Sequence, residues 1–341
     1  MLKTAIIGLG PHGQRILKAC LQIPELEITG LVDKNNDTLH KALPGRTELY
    51  FNSTKDLYNS SNKPEVVIIA TNGPSHHPLT MEAMENGARY IMVEKPMACS
   101  VAEAEEMEKA AQTKGIRLSI DKPIRHDDVY VWLHDLISKN ELGEIRSIYI
   151  QKPGIGLGCL GTHSFDLSNF LMNDFPNKVT AWVDEPVGIN PRGEQFVDPG
   201  GLVILQYAQN KKAIISQIED GAGPQSLEVI LTGGRIYHDP KNAYIDVRKR
   251  DLSIKPGPNQ PPVYEKIPPD TTYNLKGDLV EQVKRVIMEL IGSAPMKTDA
   301  KYGKNAIEVL TAAYISHQKG NIPVNLPITL AEEKKIYLPI T

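Results

Sequence analysis

This sequence is poor in the residues that staple, anchor or stack. Its 341 residues include three cysteines, two tryptophans and five phenylalanines, and aromatic side chains make up only 6%. Cys20, Cys99 and Cys159 stand far apart, so no disulfide framework and no paired-cysteine metal site is encoded, and a reducing, cytoplasmic setting is expected. No apolar run approaches the roughly 18 residues that cross a bilayer, so no membrane partner is expected. The opening residues Met1 to Gly10 have no basic stretch ahead of a long apolar one, and no leader peptide is expected. Charge of one sign is also missing: 38 Lys and Arg against 41 Asp and Glu leave a net −3 at pH 7. That balance excludes nucleic acid and anionic surfaces as obvious partners.

What is present is the makeup of a soluble globular protein, with 41% hydrophobic and 23% charged residues. The length fits two domains better than one. Over residues 1–122 the apolar pattern switches between strand and helix. Ala5–Ile7, Ile28–Val32, Glu65–Ala70, Tyr90–Val93 and Arg117–Ile120 read as strands. Helical periods lie between them, at Ile16–Leu21, Pro78–Glu85 and from the capping box at Ser100 and Glu103 to Lys114. Alternation with short connections predicts an α/β Rossmann domain, a doubly wound parallel sheet.

Over residues 123–341 the pattern predicts an α+β domain. Helices are expected at Asp128–Lys139 and Leu160–Met172, and strands at Ile145–Gln151, Val179–Val183, Leu202–Tyr207, Ala213–Ile218, Leu227–Leu231 and Tyr244–Val247. No helices separate the later strands, so the sheet should be open and largely antiparallel. Residues 253–272 carry Pro256, Pro258, Pro261, Pro262, Pro268 and Pro269 and read as a loop or a blunted sheet edge. Two amphipathic helices follow, one facing inward with Leu279, Val283, Val286 and Leu290, the other with Ile307, Leu310 and Tyr314.

Gly8-Leu9-Gly10-Pro11-His12-Gly13 is a G-x-G-x-x-G turn between a strand and a helix. Gly8 permits the tight turn, Gly10 leaves room for a pyrophosphate, and Gly13 lets helix and strand pack closely. The helix N-terminus adds free N–H groups and positive partial charge, and Pro11 suits its first turn. Asp33 ends the next strand, twenty residues on. Its carboxylate is placed to accept the hydroxyls of an adenosine ribose and to repel a 2′-phosphate, which favours NAD over NADP; the Lys34 ammonium could still tolerate that phosphate. A second match, Gly156 to Gly161, lacks a following parallel βαβ unit and reads as a glycine run leading into the next helix.

Glu94-Lys95-Pro96 ends the strand at Tyr90–Val93, where ligands of doubly wound sheets collect. Lys95 either binds a substrate hydroxyl, exchanges a proton, or forms a plain surface pair with Glu94. His163 and Asp166 share a helical face, with Cys159 four residues earlier. His163 is either an acid/base group or a packed histidine capped by Asp166.

Together these residues resemble the Gfo/Idh/MocA oxidoreductases, over nearly the whole chain. The resemblance rests on the glycine turn with Asp33, on Ala70-Thr71-Asn72-Gly73-Pro74-Ser75-His76, on Glu94-Lys95-Pro96, on Glu141 to Ile145, on Gly161-Thr162-His163-Ser164-Phe165-Asp166, and on the tail from Ala306 to Leu326. It implies a nicotinamide cofactor held by Gly8, Leu9, Gly10, Pro11, His12, Gly13, Asp33, Lys34, Ala70, Thr71, Asn72, His76, Glu94 and Lys95. It implies hydride exchange with a hydroxyl-bearing carbon of a sugar, an inositol or a nucleotide-linked sugar, and a homodimer or homotetramer built on the outer face of the open sheet. Lys95 would bind the reacting oxygen and His163 would shuttle the proton, with Arg125 and Asp166 beside the substrate. Loops 185–201 and 220–240 are expected to contact it.

One departure matters. Many family members carry an aspartate where Cys159 stands, and a thiol is a far weaker proton and hydroxyl acceptor than a carboxylate. Three outcomes follow: His163 and Lys95 suffice with a changed preference, Cys159 ionises and acts in catalysis, or the chain holds NAD as a sensor or regulatory subunit without turnover. A nucleophilic Cys159–His163 pair is a further reading, without a supporting oxyanion motif.

Overall fold

The computed structural model describes residues 1–154, 156–186, 190, 193–218, 225–251, 253–255, 257–258, 262–269 and 277–340. The chain forms two compact units. The first holds Met1–His126, Asp278–Ile307 and Lys335–Thr341, and the second holds Asp127–Gly277 and Glu308–Lys334. The sequence pattern suggested one cut after residue 122; in the structure the chain re-enters the first unit twice more.

The first unit is built on β1 (Leu2–Ile7), β2 (Leu26–Val32), β3 (Tyr50–Phe51), β4 (Val66–Ile69), β5 (Tyr90–Val93) and β6 (Arg117–Ile120). All neighbours pair in parallel, in the order β3-β2-β1-β4-β5-β6, which is the doubly wound order of dinucleotide-binding sheets. The helices are α1 (Pro11–Cys20), α2 (Asn36–Ala42), α3 (Thr54–Asn59), α4 (Gly73–Glu85) and α5 (Val101–Lys114). Strands buried on both faces separate two cores. One face packs Ile7, Val67, Ile69, Ile91 and Val93 against Ala83, Met84, Ala104 and Met107. The other packs Ile6, Ile68 and Met92 against Ile16, Leu17 and Cys20 of α1.

That second face is completed from far along the chain. After α6 (Asp128–Ser138) and α7 (Thr162–Met172) comes α8 (Leu279–Ile291), whose Val283, Val286, Ile287 and Leu290 join the core beside α1. Leu279, expected inward, is exposed at the start of α8. α9 (Ala300–Gln318) follows.

The second unit holds β7 (Ile145–Pro153), β8 (Lys178–Val183), β9 (Gly201–Gln206), β10 (Lys212–Ile218), β11 (Ser226–Leu231), β12 (Gly234–Asp239), β13 (Tyr244–Arg250), β14 (Tyr264–Ile267) and β15 (Val324–Asn325). The order is β14-β13-β12-β11-β7-β10-β9-β8-β15. Every neighbouring pair is antiparallel except β7 with β10, which run parallel. Residues alternate between buried and partly exposed along β9, β10 and β11. One face is therefore covered, while the other presents Tyr149, Trp182 and Tyr244 to solvent.

Two expectations change here. The segment 220–240 is a hairpin of β11 and β12 rather than a loop from residue 226 on. The proline-rich segment contributes the edge strand β14; Pro256 and Pro261 lie outside the described residues, as do 187–189, 191–192 and 220–224 of the expected substrate loops. Among the described residues no helix is long and apolar enough to cross a membrane.

Candidate functional site

The glycine turn follows β1 and opens α1. Gly8 has φ +93°, and a Cβ there would lie 2.7 Å from the Ala70 carbonyl oxygen, so only glycine fits. A Cβ on Gly13 would lie 2.0 Å from the Gly8 oxygen. A Cβ on Gly10 would meet nothing within 4 Å. Two glycines are thus filled by packing and the third faces open space at the N-terminus of α1. No side chain caps that terminus and no acidic residue sits in its first turn, so its N–H groups and positive end are available to an anion.

Asp33 stands beside the turn, directly after β2. Its Oδ2 accepts the Leu9 N–H at 2.8 Å and its Oδ1 accepts the Asn35 N–H at 2.9 Å. Both bonds fix the carboxylate, and each oxygen keeps a lone pair for a ribose hydroxyl. Lys34 is exposed beside it. The turn, the open position and the fixed acceptor together fit a dinucleotide.

The far side of the crevice is formed by loops after β4, β5 and β6. Thr71 is tied to the first turn of α4, where the Ser75 hydroxyl donates to Thr71 Oγ1 at 2.7 Å; Ala70 is partly buried and Asn72 exposed. The Lys95–Pro96 peptide is cis. Glu94 folds back to accept the Lys95 N–H. Desolvation holds its carboxyl above the usual range, Asp121 adds to this, and Lys95 and His12 oppose it. His76 is fully buried, with Nδ1 2.6 Å from the Pro96 carbonyl oxygen and Nε2 3.2 Å from that of Thr71. Desolvation, helped by the Lys95 ammonium, pushes it down to about 4. The neutral ring carries one N–H and therefore donates to one of these two carbonyls. His76, expected at the cofactor, is buried between the Pro96 and Thr71 carbonyl oxygens.

His12 and Asp121 were not expected as a pair. His12 Nε2 lies 2.7 Å from Asp121 Oδ2, and Asp121 is buried at the end of β6. The signal was present in outline, because Asp33, Glu94 and Asp121 each directly follow a strand of the parallel sheet. Arg125 is also buried, with its guanidinium 3.9 Å over the Tyr302 ring. Arg125 is expected beside the substrate; one of its contacts in the structure is this aromatic face.

In the second unit, a π-helical turn at Gly156–Gly161 leads into α7. From Thr162 to Met172 only His163 is not buried. Asp166 is 1% exposed and Cys159 6% exposed, so both are buried. Asp198 was missed by sequence reasoning. Its Oδ1 accepts the Gly158 N–H at 2.6 Å and its Oδ2 the Cys159 N–H at 2.7 Å. This buried carboxylate occupies donors that an external anion would need, so the second glycine run is not a phosphate site. Asp198 lies in an irregular segment with no periodicity to mark it.

Comparison with known proteins gives two matches in succession along the chain. The Gfo/Idh/MocA family profile, described as an oxidoreductase family with NAD-binding Rossmann fold, matches residues 2–122. Its C-terminal alpha/beta domain profile matches residues 149–326. Scyllo-inositol 2-dehydrogenase (NADP+) IolW of Bacillus subtilis is 26% identical over 200 residues, covering 53% of this chain and 54% of that protein. Glucose-6-phosphate 3-dehydrogenase of Bacillus subtilis is 28% identical over 200 residues, covering 51% and 55%. The chain thus spans about half the length of the curated relatives it matches. The crystal structure of GenD2 from gentamicin A biosynthesis in complex with NAD superposes with a TM-score of 0.77 at 19% identity, covering 96% of this chain and 97% of that one.

Proposed function

This chain belongs to the Gfo/Idh/MocA oxidoreductases, and from that premise we propose that it exchanges a hydride between a nicotinamide coenzyme and a hydroxyl-bearing carbon of a sugar, an inositol or a nucleotide-linked sugar. The observation that carries this reading is the glycine turn, open at Gly10 and joined to Asp33 through the Leu9 N–H. The coenzyme, when bound, supplies the hydride acceptor or donor at its nicotinamide. The chain supplies the rest. The first turn of α1 holds the diphosphate, and Asp33 takes the ribose hydroxyls and disfavours a 2′-phosphate, so NAD is preferred over NADP. Lys95 donates to the reacting oxygen and stabilises the negative charge that grows there. His163 accepts or returns the proton. The aromatic outer face of the second unit, with Tyr149 and Trp182, supports a homodimer or homotetramer.

The test is oxidation of a panel of inositols, hexoses, hexose phosphates and nucleotide sugars by the purified protein with NAD+ or NADP+, followed through the reduced coenzyme. Turnover of at least one compound, faster with NAD+, is expected. Lys95→Ala should lower kcat by roughly a hundredfold or more and leave coenzyme Kd within a few-fold. Saturable NAD+ binding with no turnover across the panel would replace the enzyme by a binding protein; full activity in Lys95→Ala would remove that residue from the chemistry.

A further inference from the structure

The cluster of His12, Glu94 and Asp121 is not used by the chemistry above, and three different segments bring it together. One ligating atom from each lies within 4.8 Å of the other two. A shared metal ion is not what the geometry describes. Two ligands of one tetrahedral or octahedral ion stand about 3 Å apart or more, whereas His12 Nε2 and Asp121 Oδ2 are 2.7 Å apart, the length of a charge-assisted hydrogen bond. The cluster as folded holds a proton.

Its position gives that proton a use. His12 is the second residue of α1, inside the turn assigned above to the diphosphate. Pro11, just before it, has no N–H to offer an anion. Asp121 Oδ1 is buried with no hydrogen-bond partner among the described residues, so the carboxylate's only bonded neighbour is the histidine. The His12 side chain keeps 24% of its surface, and its Nδ1 has no partner among the described residues. Asp121 therefore anchors one ring nitrogen and leaves the other for a further partner, an arrangement that orients a histidine and stabilises its cation.

We propose that His12 makes binding of the reduced coenzyme proton-linked: anchored by Asp121, its imidazolium adds a donor and a positive charge to the helix end that receives the diphosphate. This deepens the coenzyme reading and rests on it. Every charged group facing the ring bears on the titration. Desolvation favours the neutral ring and Arg15, on the same helix, acts in the same sense. The hydrogen bond and charge of Asp121, after β6, and the charge of Glu94, after β5, outweigh them and hold His12 above its ordinary value. Lys95 acts on Glu94 from beyond it. NADH is the informative probe, because its nicotinamide is neutral and only the diphosphate charge meets the ring.

The experiment is a fluorescence titration of the full-length protein with NADH at constant ionic strength, from about pH 6 to about pH 9, the range over which a raised histidine titrates. Wild-type Kd should rise by roughly fivefold or more as pH rises. His12→Gln should bind more weakly at low pH and show a flat profile. Asp121→Asn should keep tight binding at the lowest pH and move the midpoint to lower pH. Calorimetry of the wild-type protein in two buffers of different ionisation enthalpy should show proton uptake on NADH binding near neutral pH, a result that no variant's folding can confound. Saturable binding with a flat wild-type profile, or a pH dependence that survives in His12→Gln, overturns the proposal and leaves the coenzyme reading standing. Absence of NADH binding at every pH overturns both.

Discussion

Gly10 and Gly13 stand three residues apart in one turn and answer to different demands. Gly13 is required by packing, since its Cβ would fall 2.0 Å from the Gly8 oxygen, and backbone cannot give way cheaply. Gly10 has φ −60° and open space around it, so nothing in the fold asks for glycine there. Two opposite outcomes are expected. Gly13→Ala should lose roughly 1–3 kcal/mol in urea unfolding. Gly10→Ala should unfold within about 0.5 kcal/mol of wild type while weakening coenzyme binding by about tenfold or more, because the added methyl stands where the diphosphate approaches. Equal loss of stability in the two variants would show that Gly10 is structural after all.

At the scale of elements, the turn entering α7 depends on one distant carboxylate. A π-helical turn leaves backbone N–H groups without their usual partners, and Asp198 takes those of Gly158 and Cys159 with its two oxygens. Removing both charge-assisted bonds in Asp198→Ala should cost about 2–4 kcal/mol in denaturant unfolding. Asp198→Asn, which keeps one acceptor and loses the charge, should cost less. Coenzyme affinity should be unchanged in Asp198→Asn, since Asp198 belongs to the second unit. A regular helix start behaves differently: α5 is capped by Ser100 Oγ on the Glu103 N–H at 3.2 Å, and Glu103 accepts the Cys99 N–H at 3.0 Å, so Ser100→Ala should cost only about 1 kcal/mol.

Across the whole molecule, each unit buries a histidine in its neutral form. His76 lies in the first unit and His238 on β12 in the second. Desolvation pushes both down to about 4 from the ordinary 6.5, with Asp239 opposing it at His238. Above 6.5 the ring is neutral folded or unfolded, and stability is independent of it. Between 6.5 and about 4 the unfolded chain binds a proton that the folded chain excludes, so stability falls as pH falls. Each ring contributes up to about 3 kcal/mol to that loss. Urea midpoints measured between pH 7.5 and 4.5 should therefore decline below about 6.5. His238→Gln should flatten the second unit's share. A midpoint independent of pH across that window would mean that neither ring is held neutral by the fold.

Much of this protein follows from local pattern alone. The parallel sheet was legible because β-branched runs such as Val66–Ile69 alternate with helical periods. The turn at Gly8–Gly13 was legible because its glycines, the strand before it and Asp33 occur at spacings that one βαβ unit imposes. The open sheet of the second unit was legible from strands without intervening helices. Four features were decided by tertiary structure. α8 is amphipathic in sequence, but nothing local says that its apolar face packs beside α1 rather than within its own stretch of chain. Asp198 carries no periodic signal, because its role is to satisfy a turn 39 residues away. The burial of His76 and Arg125 is not written in their spacing, because it depends on which elements pack over them. The partnership of His12 with Asp121 spans 109 residues. Periodicity reports which way a side chain faces within its own element; it holds no information on which element arrives opposite, and that choice is made only when the strands and helices pack.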